Sequence, residues 1–587
     1  LYAVFGAFMA ASMVAMMLAF ALSANRITGM KRNHVQASHL AEGAVEAAKK
    51  QIQTAIANWG SVPSSGGIHL GADAATYNIR PTGFAQTVTD PAGLQTQVTA
   101  YEVEADADVA NHRAHTSRII NAQATPIFQY AVFYTNDLEV LPGPNMTLKG
   151  RVHSNHDMYL GCNNTLTMDT NYVHAVGNIY RNRKDDPTQS TGTVMIRNWV
   201  QNPFDALEPS VFFMMKSQSQ MAALGVSTVS GYDSHFTQGY DQNGNGNYFD
   251  PGDWLPWGPG ALQYWEQPTG YMHGTGNTVM DSDHGVTEAV TPLIGSIAMF
   301  DLMPGGTGGN YNFNPSTGTY VQVPPGTGAY NEGYYHSQAG LSIIGDPVHN
   351  TWHAYDAAGN DVSTAVSSAI SFVQTYDARQ ANDQAPKVKV INVNVGLLAA
   401  TGKFPANGLL YAANYSEGTG VHANGVQLMN GATLPSKLTV VSEDPLYVKG
   451  DYNINAKKGA AVIADAVNLL SNAWDNTKVA GQLPTASNTT YNMAMISGNQ
   501  STHVGGYNGG LENLPRFHED WSGKNCTING SFVNTWYSQF ATGTWAIGGD
   551  RYNPPNRIWS YDPAFNSVAN LPPFTPMAVS AHDVVSW

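Results

Sequence analysis

The hydrophobic pattern is most regular at the start of the chain. The first charge is Arg26, so residues 1–25, LYAVFGAFMAASMVAMMLAFALSAN, form one apolar run. About 20 such residues in a helix span the roughly 30 Å core of a bilayer. The helical period then continues in a second form. Ala37, Leu40, Ala41, Ala44, Val45, Ala48, Ile52, Ala55 and Ile56 keep an apolar stripe at helical spacing, while Lys31, Arg32, Glu42, Glu46, Lys49 and Lys50 take the other face. The pattern predicts one helix over residues 1–59, apolar all round in its first half and amphipathic in its second. A secretory signal peptide has an apolar core of about 7–15 residues and ends at a cleavage site, which does not account for a helix running past residue 50.

Ser61–Gly67 (SVPSSGG) breaks the helical pattern. Period-two alternation follows at Tyr77–Arg80, Thr96–Val109 and Thr116–Gln123, which predicts half-buried antiparallel strands and a small β module over residues 60–125. From Pro126 the pattern changes to short strands separated by glycine turns. Thr147–Asn155, Tyr447–Asn455 and Thr527–Asn534 share the core apolar, any, Gly, any, apolar, with an Asn following, and Val173–Tyr180 is a weaker copy. Short strands broken at a glycine suit the rungs of a β-solenoid, in which every coil turns sharply at the same place. The reading for residues 126–200 together with 387–587 is a β-rich body, an irregular β-helix or stacked β-layers. A β-sandwich with glycine turns is the alternative. Residues 201–386, rich in Gly, Tyr and Pro, read as a loop-rich insertion with helices at Ala206–Leu224 and Asp361–Phe372. The expected fold class is α+β, a long N-terminal helix, a small antiparallel sheet and then a mainly β body.

Small residues (Gly6, Ala7, Ala10, Ala11, Ala15, Ala19) punctuate the apolar half, where they let helices approach closely. This stretch resembles the N-terminal helix of type IV pilins, the PilX-like group in particular. Ala41–Ile52 (AEGAVEAAKKQI) is similar to the A-E-x-A-x-x-A motif of that group. The segments LTVVSEDPLYVKGDYNI, GAAVIADAVNLLSNAWD and YNGGLENLPRFHEDW resemble the C-terminal halves of large PilX-like surface proteins. The resemblance implies a structural subunit of an extracellular, cell-surface filament. It implies polymerisation through the helix (Leu1, Phe5, Gly6, Ala7, Ala10, Val14, Leu18 and Leu22), a methylated N-terminus and no enzymatic activity. The implied partners are copies of the chain in a helical filament, the pilus assembly machinery, and the inner membrane before assembly. A start at Leu1, with neither Met nor a basic leader, is what prepilin processing would leave, and also what trimming would leave. One departure stands out. Most pilins carry Glu at the fifth residue, and here it is Phe5, so the usual assembly contact lacks its carboxylate.

Composition narrows the remaining options. Only 12% of the 587 residues are charged, with 58 Gly, 29 Tyr and 12 Trp, which suits an extracellular β-rich surface. The net charge of -15 argues against a nucleic-acid partner, which requires a basic face. Cys162 and Cys526 either close one long loop as a disulfide or are two buried thiols. The strongest metal candidate is Asp241-Gln-Asn243-Gly-Asn245-Gly-Asn247-Tyr-Phe-Asp250-Pro-Gly-Asp253. Calcium takes six to eight oxygen ligands, and alternate Asp/Asn side chains on a tight glycine loop supply them. Asp241, Asn243 and Asn245 fit the first positions of an EF-hand loop. The twelfth position is Gly252, so Asn247 would give a carbonyl and Asp250 or Asp253 would close the site. A metal-free polar turn is the alternative. His153 and His156 with Asp157, and Asp281 with Asp283 and His284, are weaker candidates, read as structural or surface groups. Glu512, Glu519 and Asp520 could form a glycosidase-like pair, but Arg516 nearby favours salt bridges. No G-x-S-x-G, phosphate-binding loop or zinc helix occurs. A tip adhesin and a polysaccharide-acting β-helix enzyme remain as the competing functions.

Overall fold

One unbroken helix, α1 (Tyr2–Ala57), opens the computed structural model, as the continuous period requires. The structure describes residues 2–89, 93–170, 172–181, 183–185, 192–197, 212–215, 279–282, 286–299, 311–314, 319–322, 333–347, 350–377, 387–414, 424–503, 506–543 and 545–586. The chain divides into two compact units, residues 1–88, 97–124 and 579–587 in one and residues 89–96 and 125–578 in the other.

In the first unit the C-terminal half of α1 seats on a five-stranded sheet. The strands are β1 (Ser65–Leu70), β2 (Asp73–Thr89), β3 (Gln95–Val109), β4 (His112–Pro126) and the last strand of the chain, Met577–Ser586, in that order. β1 with β2 and β3 with β4 are antiparallel hairpins. The stripe Ala37, Leu40, Ala41, Ala44, Val45, Ala48 and Ile52 is buried against Tyr77, Ile79, Val103, Ala105, Ala107, Ile120 and Ala581. Alternation along β3 places Val103, Ala105, Ala107 and Val109 on the helix side, as the sequence predicts. The alanines let the helix lie close to the sheet. Ions tie the edge: Arg118 on β4 pairs with Glu42 of α1 and, at 2.7 Å, with Asp583 of the last strand. Asp583 also meets Lys49 of α1 at 3.2 Å. The sequence pattern places residues 577–586 in the body, whereas they complete this sheet.

The second unit is a parallel β-solenoid, so the sandwich alternative is set aside. Its first coils are β5 (Val132–Tyr134), β6 (Leu138–Val140) and β7 (Met146–Lys149), then β8 (Val152–Ser154), β9 (Met158–Leu160) and β10 (Thr165–Asp169), then β11 (Val173–Ala175), β12 (Ile179–Tyr180) and β13 (Thr193–Arg197). β5, β8 and β11 stack in parallel on one flank, β6, β9 and β12 on a second, and β7, β10 and β13 on a third. Successive coils on the first flank are offset by 20 and 21 residues, from Val132 to Val152 to Val173. The C-terminal half of the chain winds the remaining coils and returns to the first one. Leu341, Leu410, Val440, Val462, Met495 and Phe532 are paired in succession, and Phe532 pairs with Val132. All of these, with Val152 and Val173, belong to one continuous apolar core. Burying each such side chain stabilises the fold by roughly 1.5–3 kcal/mol.

Corners, not strands, explain why no period is visible in the sequence. Offsets between the C-terminal coils are 30, 22, 33 and 37 residues, from Leu410 to Val440, Val462, Met495 and Phe532. The glycine motif also marks different places. Gly150 (φ 90°) and Gly530 turn the chain from the third flank to the first, whereas Gly450 (φ 77°) turns it from the second to the third. Of the two expected helices, Asp361–Phe372 is helical over Ser363–Ala369 and becomes strand at Ile370, while Ala206–Leu224 lies outside the described residues except for a strand at 212–215. Phe212–Met215 pairs antiparallel with β13, and Ile370–Tyr376 pairs antiparallel with Lys387–Asn394 after one short helical turn at Ser363–Val366. Ile370, Phe372 and Val373 are β-branched or aromatic and fit a pleated surface better than a helix. The solenoid thus reaches back to Leu341–Asp346, inside the stretch expected to be insertion.

Candidate functional site: the exposed helix and the buried polar groups

Residues 5–28 of α1 are exposed on every side, and their composition explains what this means. Phe5 is 68% exposed, Phe20 79% and Leu22 62%, with Val14 and Leu18 similar. The mean hydropathy of this segment reaches 2.1, and the helix is long and apolar enough to cross a membrane. Leaving such side chains in water forfeits the burial that would stabilise them, so this half-helix requires lipid or other helices around it. Around Gly6 an added Cβ would meet nothing within 4 Å, so its face is open to a neighbour. The expected assembly residues Phe5, Gly6, Ala7, Ala10, Val14, Leu18 and Leu22 therefore lie together in the free half, and Leu1 lies outside the described residues.

The calcium-loop candidate, Asp241, Asn243, Asn245, Asn247, Asp250 and Asp253, lies outside the described residues. Among the described residues no group of three or more His, Cys, Asp or Glu side chains is placed to hold a metal. No disulfide joins Cys162 and Cys526, which are both buried thiols. The Cys162 Sγ donates to the Thr193 carbonyl at 3.1 Å. Burial pushes the Cys526 thiol up to about 12.

The weaker candidates resolve into packing. His153 is buried, stacks on Phe133 at 4.9 Å between ring centroids, and has Nε2 2.9 Å from Asn155 Oδ1. Burial lowers it to about 4, which keeps the ring neutral, while His156 is exposed. Asp283 and His284 lie outside the described residues. The expected salt bridges to Arg516 do not form. Arg516 donates instead to the Ala541 carbonyl at 2.8 Å and to Ser538 Oγ at 3.2 Å. Glu512 accepts from the Leu141 N–H at 3.0 Å, Glu519 from the Ser471 N–H at 2.7 Å and Oγ–H at 2.6 Å, and Asp520 from Asn553 Nδ2 at 3.0 Å. Different elements hold the three carboxylates.

The outer side of the second flank carries a layer the sequence did not signal. Asn392, Gln427, Tyr447, Asn468 and Arg516 are register neighbours across five strands, and all are buried. Tyr447 donates to Asp377 at 2.7 Å, and His518 Nε2 lies 2.9 Å from Asn468 Oδ1. Lys478 donates to the carbonyls of His518 at 2.6 Å and Asp550 at 2.8 Å, and burial lowers it to about 8. Burial raises Glu519 to about 7. Such shifted groups are the material of active sites, but here Lys478, Arg516, His518 and Glu519 are buried beneath the loops they bind. Their work is to fasten loops to the sheet.

Taken together, fold and site define a protein with one long helix, half apolar and free and half seated on an antiparallel sheet, followed by a parallel β-solenoid. No protein-family profile matches the chain. No curated protein matches it either. Among solved structures, the competence-associated pilin ComZ from Thermus thermophilus is similar at 11% identity and a TM-score of 0.25, over 94% of this chain and 98% of that one. That likeness is too slight to carry a functional conclusion, so the chain's own helix and sheets are the basis for assigning a function.

Proposed function

We propose that this chain is a structural subunit of an extracellular, pilus-like filament, polymerised through α1, with the membrane holding the same half-helix before assembly. One observation carries the reading, the contrast along a single helix. Residues 37–52 bury their apolar stripe on the chain's own sheet, while residues 5–28 leave an all-round apolar surface uncovered. Helices of that kind associate by van der Waals packing of small residues, and Gly6, Ala7, Ala10, Ala11, Ala15 and Ala19 supply close-approach positions. A head-to-tail contact that does not close extends into a helical polymer. The test is electron microscopy of the sheared surface fraction, with the N-terminal residue of the recovered chain read by mass spectrometry.

A further inference from the structure

The solenoid has a seam where its C-terminal coils meet its first coil, and the three flanks close it differently. On the first flank the strand Asn525–Asn534 pairs with β5, with the Phe532 N–H donating to the Ala131 carbonyl at 2.8 Å. On the third flank the strand Asn556–Tyr561 lies beside β7. On the second flank no strand pair closes the seam among the described residues. A 3-10 turn, Leu511–Asn513, covers it, and its Glu512 accepts from the Leu141 N–H at the end of β6. Gly510, at φ 59°, is pressed onto the same spot. A Cβ there would lie 2.8 Å from the Glu139 carbonyl, 2.9 Å from Tyr507 Oη and 3.0 Å from Glu512 Oε2.

Two carboxyls are thus shut into the seam. Glu139 is 2% exposed and Glu512 6% exposed, and one oxygen of each, Oε2, has no hydrogen-bond partner. The Tyr134 hydroxyl, close enough to feel both charges, has none either. Thr502 hydrogen-bonds to Glu139 and the Leu141 N–H to Glu512, but a neutral carboxyl tolerates the unpartnered second oxygen better than a buried carboxylate does. The charged groups facing Glu139 are Asp137, Lys184 and Asp185, and Lys184 is already paired with Asp137. Arg557 faces Glu512, and Tyr507 lies near both carboxyls. Burial raises both carboxyls to about 7.

We propose that the second-flank seam is a proton-operated latch, closed while Glu139 and Glu512 carry protons and loosened when they ionise. Loosening frees the turn at 511–513 from β6 while the strand pairing of the first flank holds the coils together. The test is amide hydrogen exchange on the detergent-solubilised full chain at pH 6.0 and pH 8.5, corrected for intrinsic rates. The expected result is about a tenfold loss of protection at residues 506–514 and 138–141 at pH 8.5, with Ala460–Ala464 unchanged as an internal reference. Glu139→Gln with Glu512→Gln, which mimics the protonated pair, keeps the seam protected at both pH values. Equal protection of the wild-type seam at the two pH values overturns the proposal without recourse to any variant. So does a double variant that loses protection at pH 8.5 as the wild type does.

Discussion

Glycine 530 shows how much one residue can carry in a solenoid. It sits inside the strand Asn525–Asn534, where the chain leaves the third flank and enters the first, and a Cβ there would lie 1.8 Å from the Met493 carbonyl oxygen. That oxygen belongs to backbone and cannot swing aside. Gly530→Ala is therefore expected to destabilise the protein by roughly 3 kcal/mol or more, read as a fall in melting temperature. Glu519 makes a second residue-scale prediction. Its folded-state value, raised by burial from 4.5 to about 7, means the folded state binds its proton more tightly than the unfolded chain does. The stabilisation is full below about pH 4.5 and is lost as pH rises through about 7, a difference of about 3 kcal/mol. Calorimetry should show the wild-type melting temperature falling more steeply between pH 5 and pH 8 than that of Glu519→Gln. Equal slopes would contradict the assignment. The glycines were legible as a motif, because Gly150, Gly450 and Gly530 share flanking residues. Which buried polar groups meet was not, since Asp377 and His518 lie in distant stretches of chain and no local pattern joins them.

Among the elements, α1 was the most legible. An all-round apolar run followed by an amphipathic stripe specifies both a helix and which half of it the chain can cover by itself. The solenoid was half legible. Its strands announce themselves by β-branched residues and glycine corners, but coil length varies with the corner loops, so the period that identifies regular solenoids is erased. The return of Met577–Ser586 to the first sheet was not legible at all, because nothing in a ten-residue strand names a neighbour some 450 residues earlier. That return ties the end of the chain to its beginning through Asp583, which joins Arg118 and Lys49 and is held below the usual carboxylate range by these two cations against the cost of its burial. Asp583→Ala should reduce stability by about 1 kcal/mol, a value discounted because the site is partly exposed, and should raise amide exchange across residues 40–56 several-fold. The effect should shrink at high salt, as it must if ion pairing rather than strand packing is responsible.

For the whole molecule, the division of labour follows from where apolar surface is covered and where it is not. The solenoid completes its own core, and its shifted acids and its lysine are spent on sealing loops and the seam. Among the described residues, the first half of α1 is a large apolar surface that the chain leaves uncovered. In the proposed filament, copies of the same helix would supply the missing cover, and a membrane would supply it before assembly. Electron microscopy of the sheared surface fraction, with mass spectrometry of the N-terminal residue, tests this most directly. The expected result is filaments built mainly of this chain, with α1 in the core. Thin pili bearing the protein only at an end, or membranes holding it with no filament, would contradict it and transfer the function to a tip adhesin or a singly anchored surface protein.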